Sequence, residues 1–86
     1  MKNQKMFYDA IGKRLTQEAQ RKKLTVQSIV RKSGEQHHTV TRLLQGERSM
    51  VLPLANIARA LDLDLQDLIN YATTEGKHEN EIDDLI

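Results

Sequence analysis

Two short amphipathic segments separated by a tight turn constrain the fold of this chain more than any other feature. The first runs from Val26 to Lys32 and the second from about Gln36 to Leu44; Gly34 and Gly46 follow them. Thr25 precedes the first segment, where a hydroxyl can accept a hydrogen bond from the free N–H groups of a helix start. Glycine after a helix readily adopts the left-handed backbone that ends it. Two such helices joined by a turn containing glycine predict a helix-turn-helix.

The rest of the chain also predicts helices. An apolar residue recurs every four positions between about Met6 and Lys23, which is typical of a helix with one buried face. This stripe consists of Phe7, Ile11, Leu15 and Ala19. A linker over 49–52 precedes a fourth helix with Pro53 in its first turn, where the missing N–H has no cost. Asp64 is a suitable N-cap for a fifth helix, whose inward residues are predicted to be Leu65, Leu68 and Ile69.

Length and composition predict one small all-α domain. The chain has 86 residues and a single proline, and no alternating strand pattern lasts beyond a few residues. Five helices with short connections predict a compact domain over residues 6–72. Residues 73–86 are rich in charged, mainly acidic side chains and predict an acidic C-terminal tail, flexible or docked on a partner. Ile82, Leu85 and Ile86 are the residues that could dock.

Several classes of protein are disfavoured by composition. Without cysteine the chain can form neither a disulfide nor a thiolate metal site. No apolar run approaches the roughly 18 residues that a membrane span needs. The first residues carry charge with no apolar stretch behind them, so they do not resemble a signal peptide. These observations predict a cytoplasmic protein without a membrane partner.

The charge is divided unevenly between the two halves. Residues 1–48 contain 11 Lys and Arg against 4 Asp and Glu, whereas residues 49–86 contain 2 against 8. Such asymmetry favours a nucleic-acid-binding half and an acidic half with another role. Ordinary solvated helix faces are the alternative explanation. The basic half supports a nucleic-acid interpretation because it contains the predicted helix-turn-helix.

A family resemblance extends over about Ile11 to Ile69. The residues that carry it are Leu24, Thr25, Ile29, Gly34, 39–43, Gly46, 57–61 and 65–68. In this combined spacing they closely resemble the Cro/CI-type (XRE) helix-turn-helix family of bacterial and phage regulators. The resemblance implies the five-helix, lambda repressor-like DNA-binding fold, and it implies a small dimeric protein that binds DNA.

Three positions depart from the family pattern. The family usually has glutamine directly after the residue that caps the second helix, where it contacts a phosphate; here Val26 occupies that position and Gln27 follows. Val30 replaces a small alanine, and Glu35 replaces the apolar residue usual after the glycine. Gln27 is therefore a candidate for the phosphate contact from one position further along the helix.

The third predicted helix carries the candidate base contacts. A recognition helix reads base edges with the exposed side chains near its N-terminus. The resemblance implies base contacts by His37, His38 and Arg42, with Thr41 beside them. Arginine can bind guanine O6 and N7 bidentately, and threonine can touch a thymine methyl group. The alternative interpretations are a surface ion pair of Arg42 with Glu35 or Glu47, and histidines that are merely solvated.

Further polar residues are candidates for contacts with the DNA backbone. Such contacts position a protein on the duplex without reading its sequence. The resemblance implies such contacts by Gln36 and Thr39, and the other candidates are Gln27, Arg48 and Arg14. No metal site is expected, because adjacent histidines on a helix diverge by about 100° and do not converge on one ion. No cofactor is expected either.

These observations predict a sequence-specific regulator that binds double-stranded DNA. A dimeric repressor of a palindromic operator is the main interpretation. The resemblance implies a dimer surface near the fifth helix, for which the candidates are Leu63, Leu65, Ile69 and Tyr71; the alternative is that all but Tyr71 belong to the core. The alternative is an antitoxin-like or adaptor protein whose acidic C-terminal half binds a protein partner. An enzyme is not predicted, since the chain lacks cysteine, a glycine-rich phosphate loop and paired carboxylates in a likely cleft.

Overall fold

The computed structural model describes residues 2–74, with side chains from residue 4 onwards, and this part of the chain is all helical with short connections. The helices are α1 (Lys2–Arg21), α2 (Val26–Ser33), α3 (His37–Leu44), α4 (Val51–Ala60) and α5 (65–74). No strand occurs among residues 2–74. The predicted all-α helix-turn-helix fold is therefore confirmed. Most of the predicted acidic tail, including Ile82, Leu85 and Ile86, lies outside the described residues.

The core is aliphatic and comes from all five helices. The predicted stripe of α1 is buried at Ile11, Leu15 and Ala19, and Phe7 packs partly against it. The other buried apolar side chains are Ile29, Val40, Leu43, Leu54, Ile57, Ala58, Leu61, Leu68 and Ala72. In α5 the prediction was only partly right, because Leu65 and Ile69 are half-buried while Ala72 is fully buried.

The predicted helix ends agree with the structure where the signal is local. The Thr25 hydroxyl accepts a hydrogen bond from the Ser28 N–H at 3.2 Å and caps α2. Gly34 ends α2 at a φ of 76°, and Gly46 follows α3 at a φ of 88°. Asp64 accepts from the Asp67 N–H at 3.1 Å at the start of α5. Each of these contacts joins residues within one helical turn or follows from glycine's access to positive φ.

Two predicted boundaries differ from the structure. Helix α1 starts at Lys2 rather than near Met6. It ends at Arg21 rather than at Lys23, because Lys23 has a φ of 58° and the Leu24 N–H donates back to the Ala19 carbonyl. Helix α4 starts at Val51, so the second half of the predicted linker is its first turn. Pro53 lies third in this helix, where its N–H would have no partner within the helix.

Helix α1 fixes the end of α3 through close backbone contact and two hydrogen bonds. A Cβ atom added to Gly12 would lie 2.6 Å from the Gly46 nitrogen and 2.9 Å from the Leu43 carbonyl oxygen. The Thr16 hydroxyl donates to the Leu44 carbonyl at 3.2 Å, and the Tyr8 hydroxyl donates to the Ser49 carbonyl at 2.9 Å. The position of α3 relative to the core therefore depends on α1 as well as on α2.

A buried carboxylate pairs with three cationic side chains near the other end of α1, and one of these, Lys22, links α1 to the end of α4. Glu18 is only 4% exposed, and it accepts hydrogen bonds from Arg14 at 2.8 Å and from Arg21. The Lys22 ammonium lies 3.5 Å from the same carboxylate and donates to the Leu61 carbonyl at the end of α4. Arg21, and after it Arg14, lower the pKa of Glu18 to about 2. Charge-assisted hydrogen bonds of this kind favour the ionised carboxylate.

We expect this carboxylate to contribute a stability that acid removes. Because the pKa of Glu18 lies below its ordinary value of 4.5, the contribution is complete above that value and declines as the pH falls towards 2. The thermal midpoints of the wild-type protein and of Glu18→Gln should differ most near neutral pH and converge in acid. Thermal melts at a series of pH values measure this difference. A gap between the two proteins that stays constant with pH would contradict the assignment.

Candidate nucleic-acid interface

Helix α3 presents a polar face to solvent because two apolar residues anchor its other face. Val40 and Leu43 are buried in the core. His37, His38 and Arg42 are exposed. Thr41 is half-buried beside them, and Gln36 is exposed at the N-cap position with no side-chain bond to the helix start. The exposure of these side chains agrees with the sequence analysis, and their contacts with bases stay a prediction.

The hydroxyl of Thr41 is occupied within its own helix. Its Oγ1 lies 3.2 Å from the His37 carbonyl oxygen and 3.1 Å from the His38 carbonyl oxygen, so it donates back to the preceding turn. The Thr41 hydroxyl has thereby used its proton, so towards a ligand it can only accept a hydrogen bond, and the methyl group beside it offers an apolar contact. A methyl group suits a thymine methyl better than a hydrogen-bonding base edge.

Arg42 forms one of the two ion pairs considered in the sequence analysis. Its Nε lies 3.3 Å from the Glu47 carboxylate, and the two side chains are 60% and 47% exposed. Glu35 is engaged elsewhere, since it accepts from Asn56 at 2.8 Å. An exposed ion pair of this kind contributes about 0–1 kcal/mol. Arg42 can therefore leave Glu47 for a stronger partner such as guanine or phosphate at little cost.

We expect Glu47→Gln to increase the affinity for DNA. The substitution removes a competitor for Arg42 and a negative charge from a surface predicted to face phosphates. The gain should be about two- to fivefold, the equivalent of an exposed ion pair. Titration of a labelled duplex with both proteins at one salt concentration measures it. Glu35→Gln is the matched control, because Glu35 bonds to Asn56 rather than to Arg42, and an equal gain in both variants would point to net charge alone.

A groove of about 230 Å³ separates α3 from the start of α4 and joins several of the predicted residues. Its lining consists of His38, Thr39, Arg42, Leu43, Arg48, Ser49, Met50 and Pro53. Two arginines and a histidine thus border the same groove as two hydroxyl-bearing residues and three apolar ones. The structure therefore brings candidate base contacts together with two candidate backbone contacts, Thr39 and Arg48.

The remaining candidates lie apart from this groove. Gln27 is exposed in the first turn of α2. Arg14 forms an ion pair with Glu18. It also lines a second groove, whose other lining residues belong to the α4–α5 connection and the start of α5. That groove contains Asp62, Asp64 and Asp67, whose charge is unfavourable for a phosphate. The structure does not bring Arg14 to the polar face of α3.

Sequence reasoning missed three features near the groove. Gly12 and Tyr8 hold the end of α3 through contacts with residues more than 30 positions away, and no local pattern signals them. A linker is predicted over residues 49–52, yet residues 50–52 are an exposed apolar stretch at the start of α4. Three successive apolar residues at a helix start break the amphipathic pattern, and this signal was available in the sequence.

Two other features, a metal site and a membrane-spanning helix, are absent from the described residues. Among the described residues, no group of three or more His, Asp or Glu side chains could hold a metal ion. No helix within this part of the chain is long and apolar enough to cross a membrane.

The fold and the polar face of α3 define a helix-turn-helix protein of the DNA-binding class. The family model for the Cro/C1-type HTH DNA-binding domain matches residues 14–73, which is most of the chain. The chain therefore belongs to this family, and the resemblance described in the sequence analysis is confirmed. Comparison with curated proteins and with solved structures found no match.

Proposed function

We propose that this protein is a sequence-specific transcriptional regulator that binds double-stranded DNA as a dimer and represses by occupying a palindromic operator. The observation that supports this proposal best is the groove beside α3, where Arg42 and Arg48 border exposed polar side chains of a helix-turn-helix. Membership of a DNA-binding family supports the same conclusion. Binding at an operator would exclude RNA polymerase sterically.

In this proposal the residues divide into those that read bases and those that position the helix. Arg42 binds guanine bidentately, the histidines at 37 and 38 donate to purine N7 atoms or phosphates, and Thr41 contacts a thymine methyl. Arg48, Thr39 and Gln36 bind phosphates around α3, and Gln27 does so at the start of α2. Arg14 is a weaker candidate, since Glu18 already compensates its charge.

A dimer follows from the size of the reading element. One helix of this length reads one half-site, and two half-sites about 34 Å apart need two copies of the helix. Leu63, Leu65, Ile69 and Tyr71 stay the proposed dimer surface. All four are half-buried in the single chain, so each still has apolar area to bury against a second copy.

Selection of binding sites from a randomised duplex pool tests the proposal. The purified protein at about physiological salt should enrich a motif with two-fold symmetry, and the spacing of its halves should be close to one helical turn. Sedimentation with the selected duplex should give two chains per site. Absence of an enriched motif, together with co-purification of a stoichiometric protein partner, would support the antitoxin-like or adaptor alternative instead.

A further inference from the structure

Three successive apolar side chains at the start of α4 are left in solvent. Met50 is 80% exposed, Val51 71% and Leu52 68%, and they are the exposed large hydrophobic residues among those described. Single exposed apolar residues are ordinary on a protein surface. A contiguous group of them indicates a surface that meets another molecule.

Met50 also occupies a position at which a different residue would make the protein more stable. It is the N-cap of α4, and its side chain makes no capping hydrogen bond. Serine, threonine, aspartate and asparagine are strongly preferred at this position because their oxygens satisfy free N–H groups. Ser49 is one residue too early, and its hydroxyl bonds to the Met50 carbonyl instead. The exposed thioether is therefore not explained by the stability of the helix.

The surroundings of this apolar surface favour one kind of partner. Met50 and Pro53 line the same groove as Arg42 and Arg48, so apolar side chains border a cationic groove. Val51 and Leu52 do not line the groove, but they lie between Met50 and Pro53 in the chain and are exposed beside it. A nucleic-acid strand has the matching chemistry, because each anionic phosphate is followed by a deoxyribose ring whose carbon face is apolar.

We propose that Met50, Val51 and Leu52 pack against deoxyribose rings of the DNA strand whose phosphates lie at Arg48. This inference rests on the proposed function, because it places one strand of the bound duplex along the start of α4. The contact contributes affinity through burial of apolar surface. It carries no sequence information, since every nucleotide presents the same sugar.

The double variant Met50→Ser, Leu52→Gln tests this contact while protecting the fold. Serine supplies the missing N-cap, and glutamine forms helix about as well as leucine, so the thermal midpoint should be equal to or above that of the wild type. Affinity should nevertheless fall by about tenfold, because two largely apolar side chains lose their burial. A gain in stability combined with a loss of binding separates this role from a structural one.

Two further readouts identify the kind of contact. The affinity for the selected duplex and for a scrambled duplex should fall by the same factor, because sugars do not report sequence. The slope of log affinity against log salt should stay at the wild-type value, because no counterion is released by an apolar contact. Arg48→Ala is the contrasting variant, and its slope should decrease in magnitude by about one.

Four other results of these measurements would contradict the contact with deoxyribose. Unchanged affinity of the double variant on both duplexes would remove it while leaving the proposed function intact. A loss confined to the selected duplex, and reproduced when uracil replaces a thymine, would assign the residues to a thymine methyl. A loss accompanied by weaker self-association in sedimentation would assign them to a second copy of the chain. If the wild-type protein bound no duplex at all, the proposed function would be refuted, and this inference would be refuted with it.

Discussion

Gly12→Ala is expected to lower the thermal midpoint by roughly 10–15 °C. The new methyl group would lie 2.6 Å from the Gly46 nitrogen and 2.9 Å from the Leu43 carbonyl oxygen, and neither backbone atom can move without shifting the end of α3. Overpacking of this kind costs about 1–3 kcal/mol or more. The better helix propensity of alanine offsets at most about 1 kcal/mol. A net loss of about 2 kcal/mol corresponds to this change in a domain of this size.

Thermal melts followed by circular dichroism measure the effect, and Gln17→Ala is the matched control. Gln17 is exposed on the same helix, so alanine there should leave the midpoint unchanged or raise it slightly. At a temperature where Gly12→Ala is still folded, its affinity for DNA should also be reduced, because α3 and the residues after it would be displaced. A midpoint equal to that of the Gln17 variant would show that α1 and α3 do not approach so closely in solution.

Arg42→Ala is expected to cost about 1–3 kcal/mol of binding free energy, which is roughly five- to 150-fold in affinity. The loss should be largest on the selected duplex and should relax the preference at one base pair. The physical reason is the planar guanidinium, which can donate two parallel hydrogen bonds to guanine. Its exposed pair with Glu47 does not hold it in another position strongly enough to prevent this. Competition binding with duplexes substituted at each position measures both effects.

Two matched variants distinguish a specific base contact by Arg42 from a general effect of charge on affinity. Arg42→Lys keeps the charge without the bidentate geometry, so it should retain affinity for a scrambled duplex and lose discrimination. Arg59→Ala removes a cation on α4 that bonds to Asn56 outside the groove, and it should have little effect. Unchanged selectivity of Arg42→Ala would refute the base contact, and equal losses in Arg42→Ala and Arg59→Ala would indicate a general charge effect.

The parts of the fold that depend on neighbouring residues could be predicted from the sequence. The caps at Thr25 and Asp64 and the helix ends at Gly34 and Gly46 each follow from residue chemistry within a turn or two of chain. The apolar stripe of α1 follows from helical periodicity. The cluster at Glu18 also had a local signal, since its cationic partners lie three and four residues away, although it was overlooked.

The parts that depend on how helices cross could not be predicted. The approach of Gly12 to Gly46 and the bond from Tyr8 to Ser49 need the three-dimensional arrangement of α1 and α3. The position of Arg14 beside the acidic start of α5 is of the same kind. For the candidate site, the sequence indicated which α3 side chains face outward, whereas the groove itself required the path of the chain from Arg48 to Pro53. The assignment of individual contacts to bases or phosphates stays a prediction.

The contacts of α1 also determine which residues must be kept when this domain is transferred into another protein. The family match starts at residue 14, yet Tyr8, Ile11 and Gly12 precede it and are integral to the packing around α3. We therefore expect the smallest unit that folds on its own to be longer than the segment matched by the family model. A graft of α2 and α3 into another protein would also need the preceding turns of α1. The orientation of α3 depends on contacts with α1, which lies outside the helix-turn-helix motif.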